Sequence, residues 1–410
     1  MISVDDYAAR IAALVPPAPP SRRPLADADG RALAEDVRAP RPLPAFDNSA
    51  MDGYAVRARD IAGELPVTLP VRADIPAGRG DGPALAPGTA HRIMTGAPLP
   101  AGADTIVPVE ATDAGTTVVR IDAAGPPGTH IRRAGEDVRA GETVLRAGAR
   151  IGPAQLGLLA GLGLAEVTVR APLRVLVLST GSELVAAGQP LAPGQIHESN
   201  SIMLASACRE AGAAARTIHF VSDDVTEFRS ALAAHSGDAD LIVTSGGVSA
   251  GAYEVVKDAL AGSGVQFVKV AMQPGMPQGC GVVDGVPIVT FPGNPVSALV
   301  SFEVFLRPAL RAAMGLRPAR RTVVRRRLAE AITSPAGRRQ FRRGTAVAPG
   351  DGASPSDGIN TGDSESWVRA VGPPASHFLR WLAQADCLID IPADVTALPA
   401  GAPVDVWLLD

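Results

Sequence analysis

Glycines, hydroxyls and carboxylates gather in four short stretches of this sequence. "TGSEL" carries Thr180, Gly181, Ser182 and Glu183; "SDD" carries Ser222, Asp223 and Asp224. "SGGVSAG" carries Ser245, Gly246, Gly247 and Ser249; "PGNPVSA" carries Pro292, Gly293, Asn294 and Pro295. These residue types suit a phosphate together with a divalent cation. Gly246 and Gly247 allow backbone N–H groups to turn toward an anion, with Ser245 and Ser249 as hydroxyl donors. A helix expected to start near Tyr253 adds a favourable dipole. Glu183, Asp223 and Glu254 form a carboxylate set for Mg²⁺, which takes one or two carboxylates plus phosphate oxygens. Taken singly, each stretch also has a plain reading: a turn between strand and helix, an N-cap with a first-turn acid, a proline turn. Four of them in one region favour a binding edge.

A fifth stretch, "FDNSAMDGYAV" at 46–56, mixes the acids Asp47 and Asp52 with Phe46, Met51, Tyr54 and Val56. The hydrophobes are expected to anchor the loop and Gly53 to permit a tight turn. Asp52 would then be held rigidly for a ligand outside its own small domain. The competing reading is an acidic turn that caps its own amides.

Composition narrows the classes. The chain has 410 residues, enough for roughly two to four domains. It is 46% hydrophobic and carries a formal charge of -4, with no basic excess that would point to nucleic acid. No basic amphipathic helix points to a membrane surface, and the longest apolar tract, 151–169, is broken by Pro153, Gln155 and Glu166. The N-terminus is too acidic for a signal peptide. The cysteines Cys208, Cys280 and Cys387 lie far apart without a CxxC pair, which fits a reducing cytoplasm. The six histidines show no paired ligand spacing.

The elements that must position these residues alternate after residue 171. "PLRVLVLS", "ARTIHFV", "ADLIVTS" and "VPIVTFPG" read as buried strands, each emptying into one of the four loops. Helices lie between them, among them "NSIMLASACREAG", capped by Asn200 or Ser201, and the long "PVSALVSFEVFLRPALRAAMG". This rhythm predicts a central doubly wound, mostly parallel α/β domain, in which ligands bind at the carboxyl ends of the strands. Before it come a helix at about 3–14 with Ser3 as N-cap and short β runs over 66–150. After it come a Pro/Arg linker and a final β-rich segment. The expected division is 1–45 with 134–170 as an extended linker domain, 46–133 as an inserted β-rich domain, 171–317 as the α/β domain, and 318–410 as a C-terminal β-barrel-like domain.

In order along the chain, "FDNSAMDGYAV", "MTGAPLPAGADTIVPVE", "RRAGEDV", "STGSEL", "GQIHESN", "TSGGVSAG" and "PGNPVSA" resemble the molybdopterin molybdenumtransferases and the corresponding domain of gephyrin. The resemblance runs from about residue 3 to about 390. It implies a homodimer of four-domain subunits that takes adenylylated molybdopterin and molybdate. The adenylyl group is cleaved in a Mg²⁺-dependent step, leaving molybdenum on the dithiolene and releasing AMP. The family's functional carboxylates match Asp52, Asp137, Glu183 and Asp223, and its functional prolines match Pro292 and Pro295. Its molybdate contacts are placed on Arg343 in "FRRG" and Ser376 in "ASHF". Contacts with a molybdopterin adenylyltransferase and with recipient molybdoenzymes also follow from the resemblance. Two departures stand out. Glu254 replaces an aspartate, and "QPGMP" has Gln273 and Met276 where many members have lysines. A binding-only scaffold is the competing class, but it would not need Asp52, Asp137, Glu183 and Asp223. An adenylyltransferase would leave residues 1–170 and 318–410 unexplained.

Overall fold

The computed structural model of the chain describes residues 1–78, 80, 82–219, 224–247, 255–347 and 367–409. Asp223, Ser249, Tyr253 and Glu254 lie outside these described residues. The chain divides into two units. One comprises Met1–Ser21, Gly30–Ala34 and Thr168–Asp410; the other comprises Arg22–Asp29 and Glu35–Val167.

In the first unit, six strands form one sheet in the order Ala214–His219, Arg174–Ser179, Leu241–Ser245, Val286–Phe291, Pro277–Val283, Gln266–Lys269. The first four and Gln266–Lys269 run the same way, and Pro277–Val283 runs antiparallel to both its neighbours. The near-continuous apolar runs follow from burial on both faces. Val175, Val177, Leu241 and Val243 face one core cluster, whereas Leu176, Leu178 and Ile242 face another. This alternation is the two-residue period of a strand. The chain leaves Arg174–Ser179 for one side of the sheet and returns to add Leu241–Ser245 on the other. The loops after these two strands therefore flank the point where the strand order reverses, the usual crevice for a ligand.

The N-terminal helix Val4–Leu14 is capped by Ser3, whose hydroxyl accepts from the Asp6 amide at 3.0 Å. Its Tyr7 and Ile11 are fully buried in the first of those clusters, with Tyr7 edge-on to Phe305 at 4.8 Å. The single long helix expected from "PVSALVSFEVFLRPALRAAMG" is interrupted. Pro295–Ser301 and Arg307–Ala313 are α-helical, but Phe302–Leu306 is a π turn in which Arg307 N–H reaches back to the Phe302 carbonyl. Pro308 supplies the reason: it has no N–H for the carbonyl four residues earlier, and a widened turn before it absorbs the mismatch.

Beyond the linker, Arg339–Val347, Trp367–Ala370, Val323–Leu328, Pro403–Leu408 and Cys387–Ile391 pair in that order. Cys387–Ile391 then pairs back with Arg339–Val347, which closes a five-stranded barrel. Leu328, Val368, Ile389, Val404 and Val406 fill it. Met272–Gln273 pairs in parallel with the start of Arg339–Val347, so the 272–277 loop starts beside a barrel strand. The α/β domain and the barrel-like C-terminal domain expected from the sequence are both present.

In the second unit a five-stranded sheet runs Thr105–Pro108, Gly53–Val56, Ala90–Ile93, Val67–Ile75, Val118–Ile121. Gly53–Val56, an interior strand of it, is wholly buried. Among the described residues, no helix is long and apolar enough to cross a membrane.

Candidate functional site

Loops at the carboxyl ends of three of the parallel strands open into one cleft of about 1050 Å³ within the first unit. Thr180, Gly181 and Glu183 line it after the first strand, Ser245, Gly246 and Gly247 after the third, and Pro292, Gly293, Asn294 and Pro295 after the last parallel one. Residues of 272–277 and 374–377, with Ser376, complete the lining. The structure thus brings these eleven sequence-predicted residues together.

Gly246 explains why this loop needs glycine. Its φ is +96°, and a Cβ there would lie 2.7 Å from the Thr180 carbonyl. Its own N–H donates to the Phe291 carbonyl at 3.1 Å, so it ties two strand ends together and is not free for an anion. Glu183 is exposed, and its carboxylate folds back over Gly181, where a Cβ would lie 2.5 Å from Oε2. An exposed carboxylate held at the cleft fits one ligand of a Mg²⁺ ion shared with substrate phosphate. Among the described residues there is no group of three His, Cys, Asp or Glu side chains that could hold a metal alone.

The residues expected at molybdate depart from expectation. Arg343, expected at molybdate, is only 3% exposed and does not line the cleft. Its guanidinium donates to the carbonyls of Pro373, of Ala375 at 3.2 Å and of Phe378 at 3.5 Å. Burial pushes its pKa down, and neighbouring Arg342 adds to the effect. Arg343 thus anchors the loop that carries Ser376. The arginine that lines the cleft is Arg338, half-buried and one residue before the strand. Ser376 is docked on the proline turn: its hydroxyl accepts from Asn294 Nδ2 at 2.9 Å and its carbonyl from the Val296 amide at 3.1 Å.

Two further cleft residues carry roles the sequence reading missed. Glu198, 5% exposed, accepts from the Ser201 amide at 2.7 Å and the Ser201 hydroxyl at 2.6 Å. It caps the helix Asn200–Glu210, the task expected of Asn200 or Ser201. Asn200 instead reaches across to other loops. The "HESN" run was visible, but a cap residue and a long-range hydrogen-bonding residue look alike in one sequence.

The second unit holds Asp52 and Asp137, both exposed. Asp52 Oδ1 accepts from the Thr95 amide at 2.7 Å and the Thr95 hydroxyl at 2.9 Å. The backbone bond first, then the hydroxyl, hold its carboxyl below the usual range, so it stays ionised. The anchors differ from expectation. Phe46 is 48% exposed and anchors nothing, while Tyr54 is 1% exposed and Val56 fully buried. Gly53 makes no tight turn; it opens a strand so close to its neighbour that a Cβ would sit 2.0 Å from the Val107 carbonyl.

Three family models cover the chain: "MoeA N-terminal region (domain I and II)" over 2–163, "Probable molybdopterin binding domain" over 176–312, and "MoeA C-terminal region (domain IV)" over 325–409. The chain is 56% identical to molybdopterin molybdenumtransferase 2 of Mycobacterium tuberculosis, covering 99% of both chains. It is 40% identical to molybdopterin molybdenumtransferase 1 of the same organism, over 100% of this chain and 99% of that one. The crystal structure of the molybdopterin biosynthesis MoeA protein from Pyrococcus horikoshii matches with a TM-score of 0.82 at 28% identity, covering 100% of this chain and 99% of that one. On both sequence and fold, the chain belongs to the molybdopterin molybdenumtransferase family.

Proposed function

We propose that this transferase of molybdenum cofactor biosynthesis takes adenylylated molybdopterin and molybdate, and that Mg²⁺-dependent cleavage of the adenylyl group releases AMP as molybdenum passes to the dithiolene. The observation that carries the reading is that one cleft is lined by strand-end loops suited to phosphate, by Arg338, and by Ser376, which is docked on the proline turn. A nucleotide phosphate and a tetrahedral oxyanion could occupy neighbouring parts of that cavity.

Ser245 and the glycine turn would hold the phosphate, and Pro292 and Pro295 would fix the turn that supports Ser376. Arg338 offers several N–H groups to the molybdate dianion, and Ser376 a hydroxyl. It takes over the role first placed on Arg343 and supplies the charge that Gln273 and Met276 do not. Glu183 would hold Mg²⁺, with Asp223 and Glu254 assigned to it from the sequence. When bound, the ion neutralises charge on the phosphoanhydride. Asp52 and Asp137 are assigned to the same reaction on the family motif, and the ionised state of Asp52 suits charge-based work.

The enzyme is proposed to act as a cytoplasmic homodimer, receiving substrate from a molybdopterin adenylyltransferase and passing product to molybdoenzymes. Incubation with adenylylated molybdopterin tests the reaction. AMP should appear with Mg²⁺, faster with molybdate, and not in the Glu183→Ala variant. Unchanged turnover in that variant removes Glu183 from the mechanism.

A further inference from the structure

The cleft lining includes a side chain to which the sequence assigned only a helix cap. Asn200 is 8% exposed and opens the helix Asn200–Glu210. Its Nδ2 donates to Ser245 Oγ at 2.8 Å and to the Gly293 carbonyl at 2.6 Å. These acceptors belong to different strand-end loops. A carbonyl can only accept, so the atom facing Gly293 must be the amide nitrogen, which settles the orientation of the group. The amide oxygen is then directed elsewhere and, among the described residues, has no partner. The loops it joins are packed tightly: a Cβ on Gly293 would lie 3.4 Å from the Gly246 Cα. The strands they follow pair as far as Ser245 opposite Phe291, and Gly246 N–H donates to the Phe291 carbonyl just beyond that pairing.

We infer that Asn200 is a positioning residue that welds the glycine turn after Leu241–Ser245 to the Pro292–Pro295 turn and so fixes the phosphate-binding geometry of the cleft. By donating to Ser245 Oγ, it also leaves that hydroxyl's own proton free to point at a ligand. A neutral donor is required. A carboxylate of the same shape would face the Gly293 carbonyl with like partial charge and leave Ser245 without its donor. The inference deepens the proposed function and rests on it for the identity of the ligand, but the weld itself does not depend on any ligand.

The test is Asn200→Asp, which keeps the shape, with Ser245→Ala as a second variant that removes one acceptor alone. Hydrogen exchange in ligand-free protein reads the weld. At pH 8, Asn200→Asp should speed exchange in peptides spanning 244–247 and 291–298 by tenfold or more over wild type, leaving barrel strands unchanged. Near pH 4, the ordinary range of an aspartate carboxyl, the new side chain gains a proton to donate in about half the molecules, and the difference should shrink. Ser245→Ala should produce a smaller change confined to the first peptide. AMP affinity, taken as a ratio to wild type at each pH, should follow the same course. A merely structural loss would not recover on acidification. Equal exchange in Asn200→Asp and wild type at pH 8, or a difference identical at both pH values, overturns the weld. Failure of wild type to bind AMP while exchange behaves as described overturns the nucleotide reading and leaves the weld standing.

Discussion

Two arginines five residues apart should respond in opposite ways to replacement. Arg338→Ala removes the cleft arginine from a half-buried position outside the barrel core. One charge-assisted contact to an oxyanion is worth roughly 1.5–3 kcal/mol. At about 1.4 kcal/mol per decade, that raises the half-saturating molybdate concentration roughly 10- to 150-fold. The melting temperature should hardly move, because surface changes away from a packed network stay within about 0.5 kcal/mol. Arg343→Met behaves differently. It removes donors to the Pro373 and Ala375 carbonyls, with Phe378 at the limit of reach. Two such bonds, already net of desolvation, are worth about 3–6 kcal/mol, so the melting temperature should fall by several degrees. Calorimetry and molybdate titration of AMP release at fixed substrate read both variants. An unchanged molybdate response in Arg338→Ala, or an unchanged melting temperature in Arg343→Met, would refute the division of labour.

Other outcomes follow from the same contacts. Met276→Lys adds a cation to the cleft-lining 272–277 loop and should lower the molybdate requirement about tenfold, before the cost of ordering the new side chain. Thr95→Val removes one donor to Asp52 and should raise that carboxyl's pKa, followed by NMR from pH 2 to 6; an unmoved titration would detach Thr95 from it. Because the folded pKa of Asp52 is depressed, its stabilising contribution is present above the unfolded value. That contribution is lost as pH falls through the folded one. Gly53→Ala places a methyl group against the Val107 carbonyl and should destabilise the second unit by roughly 1–3 kcal/mol, seen as a lower unfolding midpoint. Light scattering should give twice the chain mass for the proposed homodimer; a monomer at working concentration counts against it.

Much of the first unit was legible because its strands are apolar runs closed by Gly, Pro and Ser. Those residue types mark both strand ends and anion loops, so fold and site were read from the same signal. The Ser3 cap was legible for a similar local reason. Arg338 and Arg343 were not. Along Arg339–Val347, Gln340 and Phe341 are both buried, and so are Arg343 and Gly344. A strand without strict alternation cannot tell which of four nearby arginines turns inward. Asn200 was misread because its partners, Ser245 and Gly293, are 45 and 93 residues away. Phe46 was misread because hydrophobicity alone does not say that a side chain finds a core. The π turn before Pro308 depends on which backbone bond the proline removes, which a hydrophobic pattern does not record.

The most direct test of the account supplies purified enzyme with adenylylated molybdopterin, Mg²⁺ and varied molybdate, and follows nucleotide products by chromatography. The account predicts one AMP per molybdopterin, dependent on Mg²⁺, accelerated by molybdate, with molybdenum retained on the pterin. AMP release that ignores molybdate, or pyrophosphate in place of AMP, would contradict it.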